Sequence, residues 1–216
     1  MRIMGFSTGG AGRETNVDRM VRAILEKSGH ETEFVKLTDL NYSGCKGCVQ
    51  LCARPQVCRL EDDLLPYYQK LKEADAVVLG SSVYFGRINA AMLAFVERFF
   101  GYRHVTVAIQ KKPFSLVLGG GSRENDSAAD QFRNILSPFG VEVLGVVQYG
   151  SGIPPCFSCG RHQECRIGGL YMARGEAAHS MTITPDLFHR WEDHPQTVEA
   201  IEVAATKLAE IPAGVV

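Results

Sequence analysis

The run Val77-Val78-Leu79-Gly80 is continuously apolar and ends abruptly in Ser81-Ser82-Val83-Tyr84-Phe85-Gly86; a helix-like pattern then runs from Ile88 to Phe100. A short apolar run of this kind has no polar face to give to water. It therefore suits a strand buried on both faces of a parallel sheet. The residues that follow such a strand lie at its carboxyl end, where open α/β sheets bind ligands. There Tyr84 and Phe85 can lay rings against a flat, conjugated ligand, and Gly86 lets a backbone come close. Read alone, the same residues equally describe a plain turn with two aromatics in the core.

Further elements arrange themselves around that strand. Arg2 to Phe6 reads as a first strand, and Ser7 to Asn16 as a loop rich in Gly, Ser and Thr. Val17, Met20, Val21, Ile24 and Leu25 then recur at helical spacing up to Gly29. Glu31 to Leu37 alternates as a second strand, and Leu64 to Lys72 reads as a helix with Pro66 in its first turn. Phe114 to Gly119, Ser127 to Leu136 and Val141 to Val147 supply a fourth strand, a helix and a fifth strand. Residues 195–211 close the chain as an amphipathic helix with Val198, Ile201, Ala204, Ala205 and Leu208 on one face. Strands alternating with helices predict a parallel, doubly wound α/β sheet of five strands. The whole of 1–216 is expected to form one domain, with cysteine-bearing loops at 39–63 and 150–184 after strands two and five.

Composition narrows the function classes. With 45% hydrophobic and 22% charged residues and a formal net charge of −1, nothing steers the chain toward nucleic acid or a membrane surface. The opening Met1-Arg2-Ile3-Met4-Gly5-Phe6 is too short and interrupted for a signal peptide, and no run approaches the ~18 apolar residues of a membrane span. A cytoplasmic protein is expected. Its seven cysteines fall in two groups, Cys45, Cys48, Cys52, Cys58 and Cys156, Cys159, Cys165. In a reducing compartment, clustered cysteines point to metal rather than disulfides. No Gly-x-Ser-x-Gly elbow or Ser-His-Asp order argues for hydrolysis.

The loop Ser7-Thr8-Gly9-Gly10-Ala11-Gly12-Arg13-Glu14-Thr15-Asn16 leads from strand to helix, where hydroxyls and backbone N–H groups form an anion site and Arg13 adds charge. It lacks the Gly-Lys-Ser/Thr ending of a triphosphate loop, so a monophosphate suits it better; the alternative is a flexible turn. Gly119-Gly120-Gly121-Ser122-Arg123 follows another strand, and its glycines let backbone groups face a ligand edge. Loops after strands one, three and four meet at one edge of a flavodoxin-type sheet, ordered 2-1-3-4-5. Four thiolates within the first cysteine group can wrap one centre; an iron–sulfur cluster, zinc and unliganded redox thiols are the readings that remain.

On these residues the chain resembles the NAD(P)H-dependent FMN reductases. Ser7 to Asn16 looks like their phosphate loop, Ser81-Ser82-Val83-Tyr84-Phe85-Gly86 like their isoalloxazine loop (with Ser82 where the family usually has proline), and Gly119 to Arg123 like their third flavin loop. Leu37-Thr38-Asp39-Leu40 through Cys58 to Asp62-Asp63 looks like the subgroup of iron–sulfur flavoproteins. The resemblance implies a flavodoxin-like fold, bound FMN, a homodimer or homotetramer, and a [4Fe–4S] cluster on Cys45, Cys48, Cys52 and Cys58. By residue, Ser7, Gly9, Arg13, Thr15 and Asn16 would serve the phosphate. Ser81, Ser82, Val83, Tyr84, Phe85 and Gly86 would flank the ring, and Gly120, Gly121, Ser122 and Arg123 would approach its other edge. The implied activity is an FMN-dependent oxidoreductase that passes electrons between cluster, flavin and a small-molecule or protein redox partner, with NAD(P)H or ferredoxin as donor. Two rivals stand beside it: a plain NAD(P)H-dependent FMN or quinone reductase whose cysteines hold zinc or nothing, and a non-enzymatic flavin carrier or metal-binding module.

The resemblance assigns nothing to the second cysteine group. Its three thiols leave a fourth ligand position, open to His162, His179, another subunit's cysteine or an exogenous ligand; the plainer reading of His162 is an exposed loop residue. Strands two and five are expected at opposite sheet edges, roughly 19 Å apart, which implies two separate metal sites. His189, Trp191 and His194 read as a packed lid before the last helix.

Overall fold

The computed structural model describes residues 1–120 and 126–212. Five parallel strands lie in the order β2-β1-β3-β5-β6: β1 Arg2–Thr8, β2 Glu31–Lys36, β3 Ala76–Tyr84, β5 Pro113–Gly120 and β6 Glu142–Gly150. Apart from the numbers of the last two strands, this is the expected doubly wound, flavodoxin-like order. The inner strands β1, β3 and β5 are buried on both faces over most of their length, whereas the edge strands β2 and β6 are partly exposed. Continuous apolar runs therefore mark the centre of the sheet, as burial on both faces requires.

A sixth strand, β4 Arg87–Ile88, was not expected. It pairs antiparallel with the end of β3, Val83 opposite Ile88 and Tyr84 opposite Arg87. The turn between them is Phe85-Gly86, with φ of 52° and 71°. Two consecutive left-handed residues make the type I′ pattern that matches strand twist in a tight hairpin. The third strand thus runs on to Tyr84 rather than stopping at Gly80, and the following helix starts later, at Ala90. Asn89 caps that helix, α4 (Ala90–Glu97), by accepting from Met92 N at 3.0 Å.

Helices cover both faces. The helix α1 (Asn16–Lys27) and the last helix, α8 (Pro195–Ala209), pack on one face through Val17, Met20, Ile24, Ile201 and Leu208. Helix α1 lies close against the sheet because β3 and β5 offer glycines: a Cβ at Gly80 would sit 2.9 Å from Val17 Cγ1, and one at Gly119 2.5 Å from Val17 Cγ2. On the other face, α3 (Leu65–Glu73), α4 and α5 (Asp126–Leu136) bury a cluster that includes Phe6, Tyr68, Phe95, Phe99 and Phe132. Phe6 and Phe95 meet at 4.8 Å and Phe95 and Phe99 at 5.2 Å between ring centroids. Each fully buried Phe contributes about 2 kcal/mol or more.

The two cysteine segments differ in how they are anchored. The first contains a short helix, α2 (Val49–Ala53), and joins the main core through Val57, Cys58 and Leu64. The second forms two short helices, α6 (Cys156–Cys159) and α7 (Gly169–Arg174), around a separate cluster of just Cys156, Leu170 and Ala178 among buried residues. Among the described residues, no helix is long and apolar enough to cross a membrane.

Candidate flavin and cysteine sites

Parallel register brings the carboxyl ends of the strands to one edge. Thr8 stands opposite Ser81, Ser82 opposite Gly119, and Gly120 opposite Gly150. The loop after β1, the β3–β4 hairpin and the end of β5 are therefore neighbours, as the sequence implied. Gly121, Ser122 and Arg123 lie outside the described residues.

The first loop is organised by Asp18, which sequence reasoning passed over. Asp18 is buried at the third position of α1 and accepts from Ser7 Oγ at 2.6 Å, Thr15 N at 2.8 Å and Thr15 Oγ1 at 2.9 Å. Lys36, from the end of β2, neutralises it at 2.8 Å and also donates to the Arg13 carbonyl. Thr38 Oγ1 donates to the Gly9 carbonyl at 2.6 Å. The Ser7 and Thr15 hydroxyls both donate to Asp18 and so shape the loop. Gly9 is buried, and its N–H donates to Ser7 Oγ at 3.1 Å. Asn16 donates to the His189 carbonyl at 3.3 Å and accepts from Trp191 N at 3.2 Å, so it docks the last segment. Arg13 reaches across to Ser158 Oγ at 3.1 Å. Among the described residues the N–H groups of Gly10, Ala11 and Gly12 have no protein acceptor, and they precede the N-terminus of α1, where an anion is favoured. The signal for Asp18 was present as Thr15-Asn16-Val17-Asp18, a capping-box pattern.

The hairpin presents its rings to solvent. Tyr84 is 56% exposed and Phe85 fully so, which removes the reading of two core aromatics. Phe85 also holds a backbone conformation that costs a non-glycine residue about 1 kcal/mol. Ser81, by contrast, is fully buried: its Oγ accepts from Asn89 N at 3.2 Å and donates to the Ser82 carbonyl at 3.0 Å. Asn89 Nδ2 in turn donates to the Thr8 carbonyl at 2.8 Å and ties hairpin to phosphate loop. Ser82 and Val83 are half-buried, and Gly86 is exposed beside Phe85. The Gly120 carbonyl accepts from Ser151 N at 2.9 Å, which ties the end of β5 to the residue after β6.

The first cysteine group packs on α4 and the 3-10 turn that follows it. Cys52 and Cys58 are buried, Cys48 is half-buried and Cys45 exposed. The buried Arg98 guanidinium donates to Cys58 Sγ at 3.1 Å and pairs with Asp62, with its plane 4.9 Å from the Tyr68 ring centroid. Burial works against the Arg98 charge, yet Asp62, Tyr68 and Cys58 hold its pKa above the usual value. His104 Nε2 lies 3.1 Å from Cys52 Sγ, and the Cys45 N–H donates to Glu97 at 3.3 Å. Burial pushes the Cys52 thiol up, and Cys58, Cys48 and Cys45 add to the shift, so the four sulfurs lie within electrostatic reach of one another. Among the described residues, however, no three Cys, His, Asp or Glu side chains converge on a point that one ion would occupy.

The second group stands apart from the first, on the far edge strand, but curls back to the phosphate loop through Arg13 and Ser158. His162, expected on an exposed loop, is buried because its Nε2 points inward to the Met181 carbonyl at 2.7 Å. Of the expected packed lid, Trp191 is buried and Arg19 pairs with Glu192 at 2.8 Å, whereas His189 and His194 are exposed. A cavity of about 600 Å³ opens between the second cysteine turn, α7 and His189.

Comparison with known proteins places this edge in a family. A model of the NADPH-dependent FMN reductases matches residues 1–153. An iron-sulfur flavoprotein of Methanocaldococcus jannaschii is 31% identical over 150 residues, covering 67% of this chain and 76% of that protein. One from Methanosarcina thermophila is 27% identical over 158 residues, covering 71% and 82%. Among solved structures, RosB with a bound 8-demethyl-8-formylriboflavin-5'-phosphate superposes with a TM-score of 0.61 at 17% identity, over 97% of this chain and 79% of that one. An FMN-dependent NADH-azoreductase from Bacillus anthracis in complex with FMN does so at 0.58 and 11% identity, over 96% and 99%. These likenesses to solved structures support the fold. The family match carries the rest: this chain belongs to the NADPH-dependent FMN reductase family, as a flavin-dependent oxidoreductase that binds FMN.

Proposed function

We propose that the chain is an iron–sulfur flavoprotein, an FMN-dependent oxidoreductase whose first cysteine group holds a [4Fe–4S] cluster that exchanges electrons with the flavin. The observation that carries this is the gathering of Cys45, Cys48, Cys52 and Cys58 against α4, with Arg98 donating to Cys58 from a fully buried position. Relatives named iron-sulfur flavoproteins support it. When bound, FMN exchanges one or two electrons and a cluster one.

The chain's own residues then divide the work. Backbone N–H groups of Gly10, Ala11 and Gly12, aided by the N-terminus of α1, bind the phosphate. Asp18, Lys36 and Thr38 hold that loop in shape. Tyr84 and Phe85 cover the ring and exclude water, while Gly120 faces the other edge. Arg98 places a positive charge beside Cys58, the neighbour that a metal-bound thiolate favours. A small-molecule or protein partner, NAD(P)H or ferredoxin among the donors, completes the circuit, and a homodimer or homotetramer is the expected assembly.

A second reading, an NAD(P)H-dependent FMN or quinone reductase without a cluster, is favoured by the description of the matching family. Iron, acid-labile sulfide and flavin analysis of anaerobically purified protein separates the two. The first predicts one FMN and about four irons per chain, with iron lost and FMN kept in Cys52→Ser/Cys58→Ser. Iron-free protein that oxidises NADPH steadily would establish the second instead.

A further inference from the structure

His162 engages only one of its two ring nitrogens among the described residues. Its Nε2 lies 2.7 Å from the Met181 carbonyl oxygen. A carbonyl only accepts, so Nε2 carries the proton and Nδ1 of the neutral ring is left with a lone pair. Nδ1 is buried and has no hydrogen-bond partner among the described residues. A carbonyl fixing one imidazole nitrogen while the other stays bare is the arrangement that orients a metal-ligating histidine.

Around His162 in the chain stand Cys156, Cys159 and Cys165, in the order C-x2-C-x2-H-x2-C. The fold brings two of these sulfurs to one spot: a Cβ added to Gly168 would lie 2.7 Å from Cys156 Sγ and 3.1 Å from Cys165 Sγ. Gly168 N donates to Cys165 Sγ at 3.2 Å and Leu170 N to Cys156 Sγ at 3.5 Å. Cys159, at the exposed end of α6, completes the set. His179 is not a rival, because its nitrogens contact the Cys165 carbonyl at 3.1 Å and Glu176 at 3.0 Å.

The segment also needs a staple. Its own buried cluster is Cys156, Leu170 and Ala178, beside a cavity of about 600 Å³. A core that small does not hold irregular chain of this length, and structural metals commonly make up the difference.

We infer that Cys156, Cys159, Cys165 and Nδ1 of His162 form a closed Cys3His zinc site that fastens the 151–190 segment beside the phosphate loop. Three thiols release their protons to solvent as the ion enters, and no electron is exchanged. Because no three donors among the described residues yet converge at ion distance, binding draws the exposed Cys159 inward. Iron at this group would be a different centre and is an outcome of the test.

The test is zinc and iron analysis of the full, flavin-loaded chain and of Cys156→Ser/Cys165→Ser. About one zinc per chain is expected, lost in the double variant while iron and FMN stay. To guard against a variant that fails to fold, Co²⁺ is titrated into the chelator-treated chain carrying Cys45→Ser, Cys48→Ser and Cys52→Ser. A tetrahedral cobalt–thiolate absorption saturating at about one equivalent supports the site, and His162→Gln should weaken that binding at least about a hundredfold. No zinc together with no cobalt–thiolate band would overturn it, as would zinc unchanged in the double variant, or iron lost from it in place of zinc. These readouts are separate from iron at the first group, so failure here leaves the flavoprotein reading untouched.

Discussion

At the scale of single residues, buried charges do the organising. Asp18 collects a hydroxyl from β1, an N–H and a hydroxyl from the loop, and an ammonium from β2, so one carboxylate sets the shape of a loop that touches three elements. Removing one partner of a buried pair leaves the other charge uncompensated, which costs roughly 3 kcal/mol. Asp18→Asn should therefore lower stability by about that amount in urea unfolding and weaken FMN binding, while Ser7→Ala should lower flavin affinity less because its hydroxyl only braces Asp18. Equal loss of FMN affinity in both variants would mean that Ser7 meets the phosphate itself. Arg98 plays the matching part at the cysteines, where it links Cys58, Asp62 and the Tyr68 ring from inside the core.

At the scale of elements, the β3–β4 hairpin spends stability on presenting its rings. Phe85 sits in a left-handed turn position that Asn would fill with less strain, and its ring is fully exposed among the described residues. Phe85→Asn should raise stability by about 0.5–1 kcal/mol. The same change should weaken FMN binding roughly tenfold, the worth of one aromatic contact. Thermal melting of the flavin-free chain set beside flavin titration checks both signs. A variant that is more stable and binds FMN as well as before would remove Phe85 from the ring site.

Across the whole molecule, two cysteine segments hang from one sheet with unequal anchoring. Val57, Cys58 and Leu64 belong to the large aromatic core, whereas Cys156 belongs to a cluster of three buried residues. Local opening follows the density of buried apolar contacts. In metal-free protein, amides of α6 and α7 should exchange with deuterium at least about tenfold faster than those around Val57 and Cys58. Added Zn²⁺ should slow the former group selectively. Uniform protection across both segments would show that the second is held by its own packing.

Much of this architecture was legible in the chain. Continuous apolar runs such as Val77 to Leu79, alternating with helical patterns, suit the inside of a parallel sheet, and small-residue loops after them lie at its carboxyl edge. The grouping of cysteines was likewise readable, because ligand spacing is local. The rest depended on residues distant in sequence. Lys36 meets Asp18 because β2 pairs with β1, Arg98 meets Cys58 because a helix turn packs under a loop forty positions earlier, and Arg13 meets Ser158 because the last loop curls over the first. The burial of His162 depends on Met181 in the same way. Local pattern determines which residues form strands, helices and ligand-bearing turns; only tertiary packing decides which buried charge or lone pair acquires a partner, because burial and pairing belong to the folded chain as a whole.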